Sequence, residues 1–256
     1  MTANGEDRPK QPGKEPQAAP LPKRFYKSVT VGPAAGDDAG YQLQLDGRVL
    51  RTPAKRPLVL PTQALANAMA EEWSAQGEHI NPATMPLTKL VMTAVDGVAQ
   101  HMSQVADDIV KFAGSDLICY RADAPEGLVR LQNEAWNPIL TWAEDQLGAC
   151  FRLAEGVMPL EQEQSALDRV AAAVAPFDAL MLTSLHVMTT LTGSALLALA
   201  HATGRLSAEE AWTAAHIDED WQIRQWGVDV EAAERRARRL EEMRAASRLL
   251  KLLRPA

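Results

Sequence analysis

Asp218, Glu219 and Asp220 form the densest run of carboxylates beside aromatic side chains, with Trp221 adjoining and Trp226 further along. Three adjacent acids could serve three ends. Two of them in one cleft could act as general acid and base, provided that burial or a like-charged neighbour raises one pKa. They could instead sit at a helix N-terminus, where free N–H groups stabilise negative charge. They could also present charge to a partner protein, which is compatible with the helix-terminal role. The spacing favours these last two, and no catalytic residue is assigned.

Other chemistries find little support. The histidines, His79, His101, His186, His201 and His216, are scattered. A metal needs ligands that converge, and the last three fall on separate expected helices, so no metal site is expected. Cys119 and Cys150 stand in no metal-ligand spacing and read as two buried, reduced thiols. The chain has no Gly-x-x-x-x-Gly-Lys-Ser/Thr loop and no Gly-x-Gly-x-x-Gly at a strand-to-helix turn, so a nucleotide has no visible cradle. His-Glu-x-x-His, Cys-x-x-Cys and Gly-x-Ser-x-Gly are absent too. No cofactor is expected.

Arg235, Arg236, Arg238 and Arg239 resemble a nucleic-acid patch until Glu231, Glu234, Glu241 and Glu242 are read with them. On a helix these charges interleave as a solvated, salt-bridged face. The net charge of −7 argues the same way, because nonspecific affinity for phosphate needs excess Lys and Arg. From Asp229 onward eight basic residues face five acidic ones, so the acidity resides in the preceding body.

The elements that must hold these residues follow from pattern. Residues 1–23 are rich in Pro, Gly, Lys, Glu and Gln and are expected to be disordered. Their acids and lack of an amphipathic Arg/Ser pattern make a poor mitochondrial presequence, so a bacterial cytoplasmic protein is expected. β-prone residues 25–31 and the alternating 41–45 frame a first hairpin. Asp46-Gly47 is a strong type I′ turn signal leading to a strand at 48–52, and 58–60 reads as another. Thr62 caps a helix to about residue 76, with Leu65, Met69 and Trp73 on one stripe and Gly77 as its stop. Two more helices follow, around residues 87–98 and from 103, and 117–120 reads as the last strand of this part.

Beyond Pro125 helices dominate, at about 125–147, 160–175, 177–202, 207–216, 219–226 and 229–253. Ser207 with Glu210 forms a capping box. Trp73 and Trp142 lie on apolar stripes. In the last helix Val230, Ala233, Ala237, Leu240, Met243, Ser247 and Leu250 make a stripe for the body or for a partner. The chain is therefore read as α+β: a small antiparallel sheet with helices at 24–122, then an all-α domain at 123–256. The apolar run from Ala179 to Ala202 is broken by Thr183, Ser184, His186, Thr189, Thr190 and Thr192 and reads as a core helix, so no membrane insertion is expected.

Four stretches together resemble one family. They are Lys23-Arg24-Phe25-Tyr26-Lys27 with the hairpin Leu45-Asp46-Gly47-Arg48-Val49-Leu50-Arg51-Thr52-Pro53; Pro57-Leu58-Val59-Leu60-Pro61-Thr62 with Glu71-Glu72-Trp73-Ser74-Ala75-Gln76-Gly77; Asn81-Pro82-Ala83-Thr84-Met85-Pro86-Leu87-Thr88 with Ala94-Val95-Asp96-Gly97-Val98 and Asp116-Leu117-Ile118-Cys119-Tyr120-Arg121; and Asp218-Glu219 with Trp221-Gln222 and Trp226-Gly227. In this order they resemble the ATP12 family of F1 ATP synthase assembly chaperones, with little of the match between about residues 149 and 175.

The resemblance implies a non-enzymatic, monomeric chaperone. Its partner would be the unassembled F1 α subunit, held until the β subunit replaces it. It also points to Glu219 as a required carboxylate, with Asp218, Trp221, Gln222, Trp226 and Gly227 around it as partner-binding residues. An enzyme using an acidic cleft at Asp218–Asp220, or a scaffold for assembling another complex, are the alternatives.

Overall fold

The computed structural model describes residues 20–34, 39–156 and 160–254. The expected disorder of residues 1–19 lies outside these. Pro22 and Lys23 lie inside: the Pro22 carbonyl accepts the Ile80 amide at 2.8 Å, and Lys23 forms a β-bridge with His79.

The chain opens with a three-stranded antiparallel sheet, β1 (Val29–Pro33), β2 (Tyr41–Leu45) and β3 (Arg48–Val49), in that spatial order. Val29 faces Leu45 and Pro33 faces Tyr41 across β1 and β2. The Asp46-Gly47 turn has positive φ at both residues, 50° and 78°, as a type I′ hairpin requires. The Asp46 carboxylate also accepts the backbone N–H groups of Lys27 and Ser28, which locks the start of β1 against the turn. The expected strand at 58–60 is reduced to a single bridge, Tyr41 to Leu60. Flanking Pro57 and Pro61 lack N–H donors and limit pairing there.

Helix α1 (Gln63–Ser74) covers the sheet, and α2 (Pro86–Asp96) packs against α1. Thr62 caps α1 as its sequence suggests, accepting the Leu65 amide; the helix stops at Ala75, earlier than Gly77. Glu72 is buried, and its carboxylate receives the Leu87 and Thr88 amides at 2.8 Å each. It thereby satisfies two free donors at the start of α2. Leu43, Leu60, Leu65, Met69 and Val91 form the centre of this first core.

A second core is helical. It is built by α3 (Met102–Gly114), α4 (Glu126–Trp142), α5 (Gln164–Val174), α6 (Ala179–Thr192), α7 (Ala195–Ala202), α8 (Ala208–Ala215), α9 (Ile217–Trp226) and α10 (Val230–Leu253). Trp136, Leu185, Met188 and Leu196 lie at its centre, and α3 sends Ile109 and Ala113 into it. Along α10, Met243, Ala246 and Leu250 join this core while Leu249 enters the first. One helix therefore staples both.

Several expectations need correction. The apolar run at 177–202 is two helices, because Gly193 adopts φ 68° and Ser194 starts α7 as its cap. Buried Asp116 accepts the Leu196 amide at that break. Residues 117–119 form a 3₁₀ turn rather than a strand of the first sheet. The following β4 (Tyr120–Arg121) pairs in parallel with β5 (Ala154–Glu155). Finally, α4 passes into a π-turn at Ala143–Leu147 that Gly148 ends at φ 69°. Cys119 is buried, but Cys150 is exposed, and Trp142 is only half-buried. No helix among the described residues is long and apolar enough to cross a membrane.

Candidate functional site

The acidic run occupies the first turn of α9, beside that helix's free N–H groups. Its three carboxylates then diverge. Asp218 accepts the Gln132 amide at 2.7 Å, and Gln132 in turn accepts the Ala122 N–H at 2.9 Å, so this acid ties α9 to α4. Asp220 pairs with Arg236 at 2.5 Å and ties α9 to α10. Glu219 is 39 % exposed and approaches the Nε2 atom of His216 at 3.9 Å.

His216 is buried, and its Nδ1 lies 2.7 Å from the Trp212 carbonyl, which fixes the proton on Nδ1 in the neutral ring. Burial, reinforced by Arg236 and Arg239, holds this imidazole below the usual histidine range. Glu219 thus faces a ring whose charged form burial disfavours. Glu219 and Asp220 border one groove, but Asp220 is taken up by its ion pair with Arg236 and Asp218 by Gln132, which leaves no second free carboxylate for acid–base work. Among the described residues no group of His, Cys, Asp and Glu is placed to hold a metal ion.

The aromatic residues divide the same way. Trp221 is half-buried against Gly127 of α4, where an added Cβ would stand 2.8 Å from the indole Cη2. Gly127 is small because the ring needs that space. Trp226 points the other way and is 87 % exposed, and Val228 and Val230 beside it are 63 % and 72 % exposed. Gly227 joins α9 to α10 at φ 88°, ψ 178°, a conformation that in practice only glycine adopts.

Between α9 and the projecting first half of α10 lies a groove of about 760 Å³. Trp212, Ile223, Trp226, Val228, Ala233 and Leu240 line it with apolar surface, and Glu219, Asp220, Gln222 and Arg236 add polar groups. Of the six residues singled out from sequence, Glu219, Gln222, Trp226 and Gly227 meet here, whereas Asp218 and Trp221 face α4. Val228, Val230, Ala233 and Ala237 were not singled out as site residues. Periodicity marks the last three as apolar but cannot show that α10 outruns the body it packs on. The arginine run is salt-bridged as expected at Arg235 to Glu231 and Arg238 to Glu234. Arg236 and Arg239 turn inward, the latter donating to the Leu191 carbonyl at 2.7 Å.

A family model for the ATP12 chaperone protein matches residues 23–144. Among solved structures, a candidate chaperone from Agrobacterium tumefaciens is 51 % identical, with a TM-score of 0.87, covering 91 % of this chain and 87 % of that one. Atp12 from Paracoccus denitrificans is 44 % identical with a TM-score of 0.86, covering 91 % of this chain and 99 % of that one.

Proposed function

The chain belongs to the ATP12 chaperone family, and on that premise we propose that its client is the unassembled α subunit of F1 ATP synthase. The family assignment speaks for binding a protein client rather than for turnover. A lone α subunit presents an apolar surface meant for β, and such surfaces aggregate unless covered. In this reading the α9–α10 groove covers part of that surface, with the chaperone acting as a monomer in the cytoplasm.

The observation that carries it is the exposed tip of Trp226, Val228 and Val230 beside a groove with polar groups. Large aromatic side chains left in water at a rigid hairpin are typical binding anchors. The polar groups suit a complex that must later give way to β, since a modest, partly polar interface can be displaced. Glu219, Gln222 and Trp226 would touch the client. Asp218 and Trp221 would act by fixing α9 to α4.

The test is co-purification of the tagged protein from its own cells, followed by identification of what it carries. Wild type should bring down free α subunit, and a folded Glu219→Ala variant should lose it. Retention of α by the variant would remove Glu219 from the site; an unrelated partner would remove the client.

A further inference from the structure

We propose that the groove between α2 and residues 50–53 is a second binding site, which takes an extended apolar peptide segment bearing acidic residues, supplied by a protein client. This groove is about 590 Å³ and shares no lining residue with the α9–α10 groove. Leu50, Trp73, Ile80, Met85 and Met92 line it, and Phe25 stands in it 72 % exposed. Methionines adapt their shape to varied apolar side chains, which suits a site for segments rather than for one rigid ligand.

Its polar atoms point to a ligand. Trp73 and Thr88 are 7 % and 5 % exposed, both line the groove, and the Trp73 Nε1–H and the Thr88 hydroxyl have no hydrogen-bond partner. Only four side-chain polar atoms among the described residues are buried without a partner, and these are two of them. An unpartnered buried donor is unfavourable in the free protein; because these two atoms are themselves closed off from solvent, a ligand that brings them an acceptor must part the side chains above them. The carbonyls of an extended peptide supply acceptors at short intervals, with apolar side chains between them.

Charge sets the flanks. Asp96, at one side of the groove, is already engaged by the Thr52 hydroxyl at 2.6 Å and the Ala54 amide at 3.0 Å. Exposed Lys89 has no ion-pair partner among the described residues, and Arg51 donates only to the Lys55 carbonyl at 3.1 Å. Two uncompensated cations beside an apolar floor favour acidic residues next to the apolar ones.

The experiment uses the full chain and a fluorescein-labelled peptide, Gly-Ser-Asp-Leu-Phe-Leu-Asp-Ser-Gly, with anisotropy as readout. Binding is expected to be about tenfold tighter than for the same peptide with Lys in place of Asp, and Lys89→Glu should reverse that order. Thr88→Val should weaken the peptide by about fivefold while raising the thermal midpoint of the free protein, because it removes a hydroxyl that only the ligand satisfies. The Trp73 indole N–H resonance, assigned with Trp73→Phe, should shift on peptide addition. Trp226→Ala should leave all of this unchanged, so this site and the proposed α-subunit site stand or fall separately. Absence of binding, or binding indifferent to Lys89→Glu and Thr88→Val, overturns the proposal. So does binding seen only after removal of residues 1–19, or a dimer that Lys89→Glu dissociates, since the occupant would then be this chain itself.

Discussion

Replacing Trp226 by alanine separates client binding from folding. A free tryptophan presents up to roughly 250 Å², so at 87 % exposure Trp226 offers on the order of 200 Å² to a client. At ~25 cal/mol per Å², complete burial of that surface would contribute about 5 kcal/mol. Alanine keeps part of the contact, and ordering the side chain offsets about 1 kcal/mol more. The expected loss is about 2–3 kcal/mol, which is roughly 30- to 150-fold in Kd. Because the ring touches little of its own protein, the thermal midpoint should move by less than about 2 °C. Titration of purified F1 α subunit by calorimetry, with a melting curve on the same samples, reads both quantities. A loss below about threefold, or a loss matched by a falling midpoint, would refute the assignment of Trp226 as the anchor.

Gly127→Ala should place a methyl group 2.8 Å from the Trp221 ring and cost about 1–3 kcal/mol in urea unfolding. It should weaken client binding as well, because α9 loses its seat on α4. Glu72→Ala strips the Leu87 and Thr88 amides of their buried acceptor and should destabilise by about 2–5 kcal/mol in urea unfolding. Burial pushes the Asp116 carboxyl up to about 6, above its unfolded value of 3.8. A raised carboxyl contributes its proton-linked stability in full below pH ~4 and loses it as pH climbs through ~6. The stability of wild type relative to Asp116→Asn should therefore fall by on the order of 3 kcal/mol between pH 4 and pH 7, measured by denaturant unfolding at each pH.

Much of this was legible in the sequence where a local rule decides the outcome. Asp46-Gly47 specifies its turn by positive φ, Thr62 and Ser207 cap the helices that follow them, and the Leu65–Met69–Trp73 stripe finds the core. What escaped depends on tertiary partners. Gly193 ends α6 in the left-handed conformation and Ser194 caps α7, and Asp116, far away in the chain, receives a further amide of that first turn. Leu117 to Tyr120 read as part of the first sheet, yet β4 finds its partner at residues 154–155.

The site shows the same division. The acidic run and its tryptophans fall on the α9–α10 hairpin, but Trp221 and Trp226 carry the same sequence signal and different environments. Only the position of Gly127 distinguishes them. Along α10, Val230, Ala233 and Ala237 share the periodicity of buried Met243 and Leu250. Periodicity marks a face, and the length of the neighbouring helices decides how much of that face is left bare.

The most direct measurement compares binding of the purified protein to isolated F1 α subunit and to assembled F1, by sedimentation velocity at matched concentrations. A one-to-one complex with free α and no complex with F1 is the expected result, since the covered surface is occupied by β after assembly. Equal binding to both, or none to free α, would contradict the account.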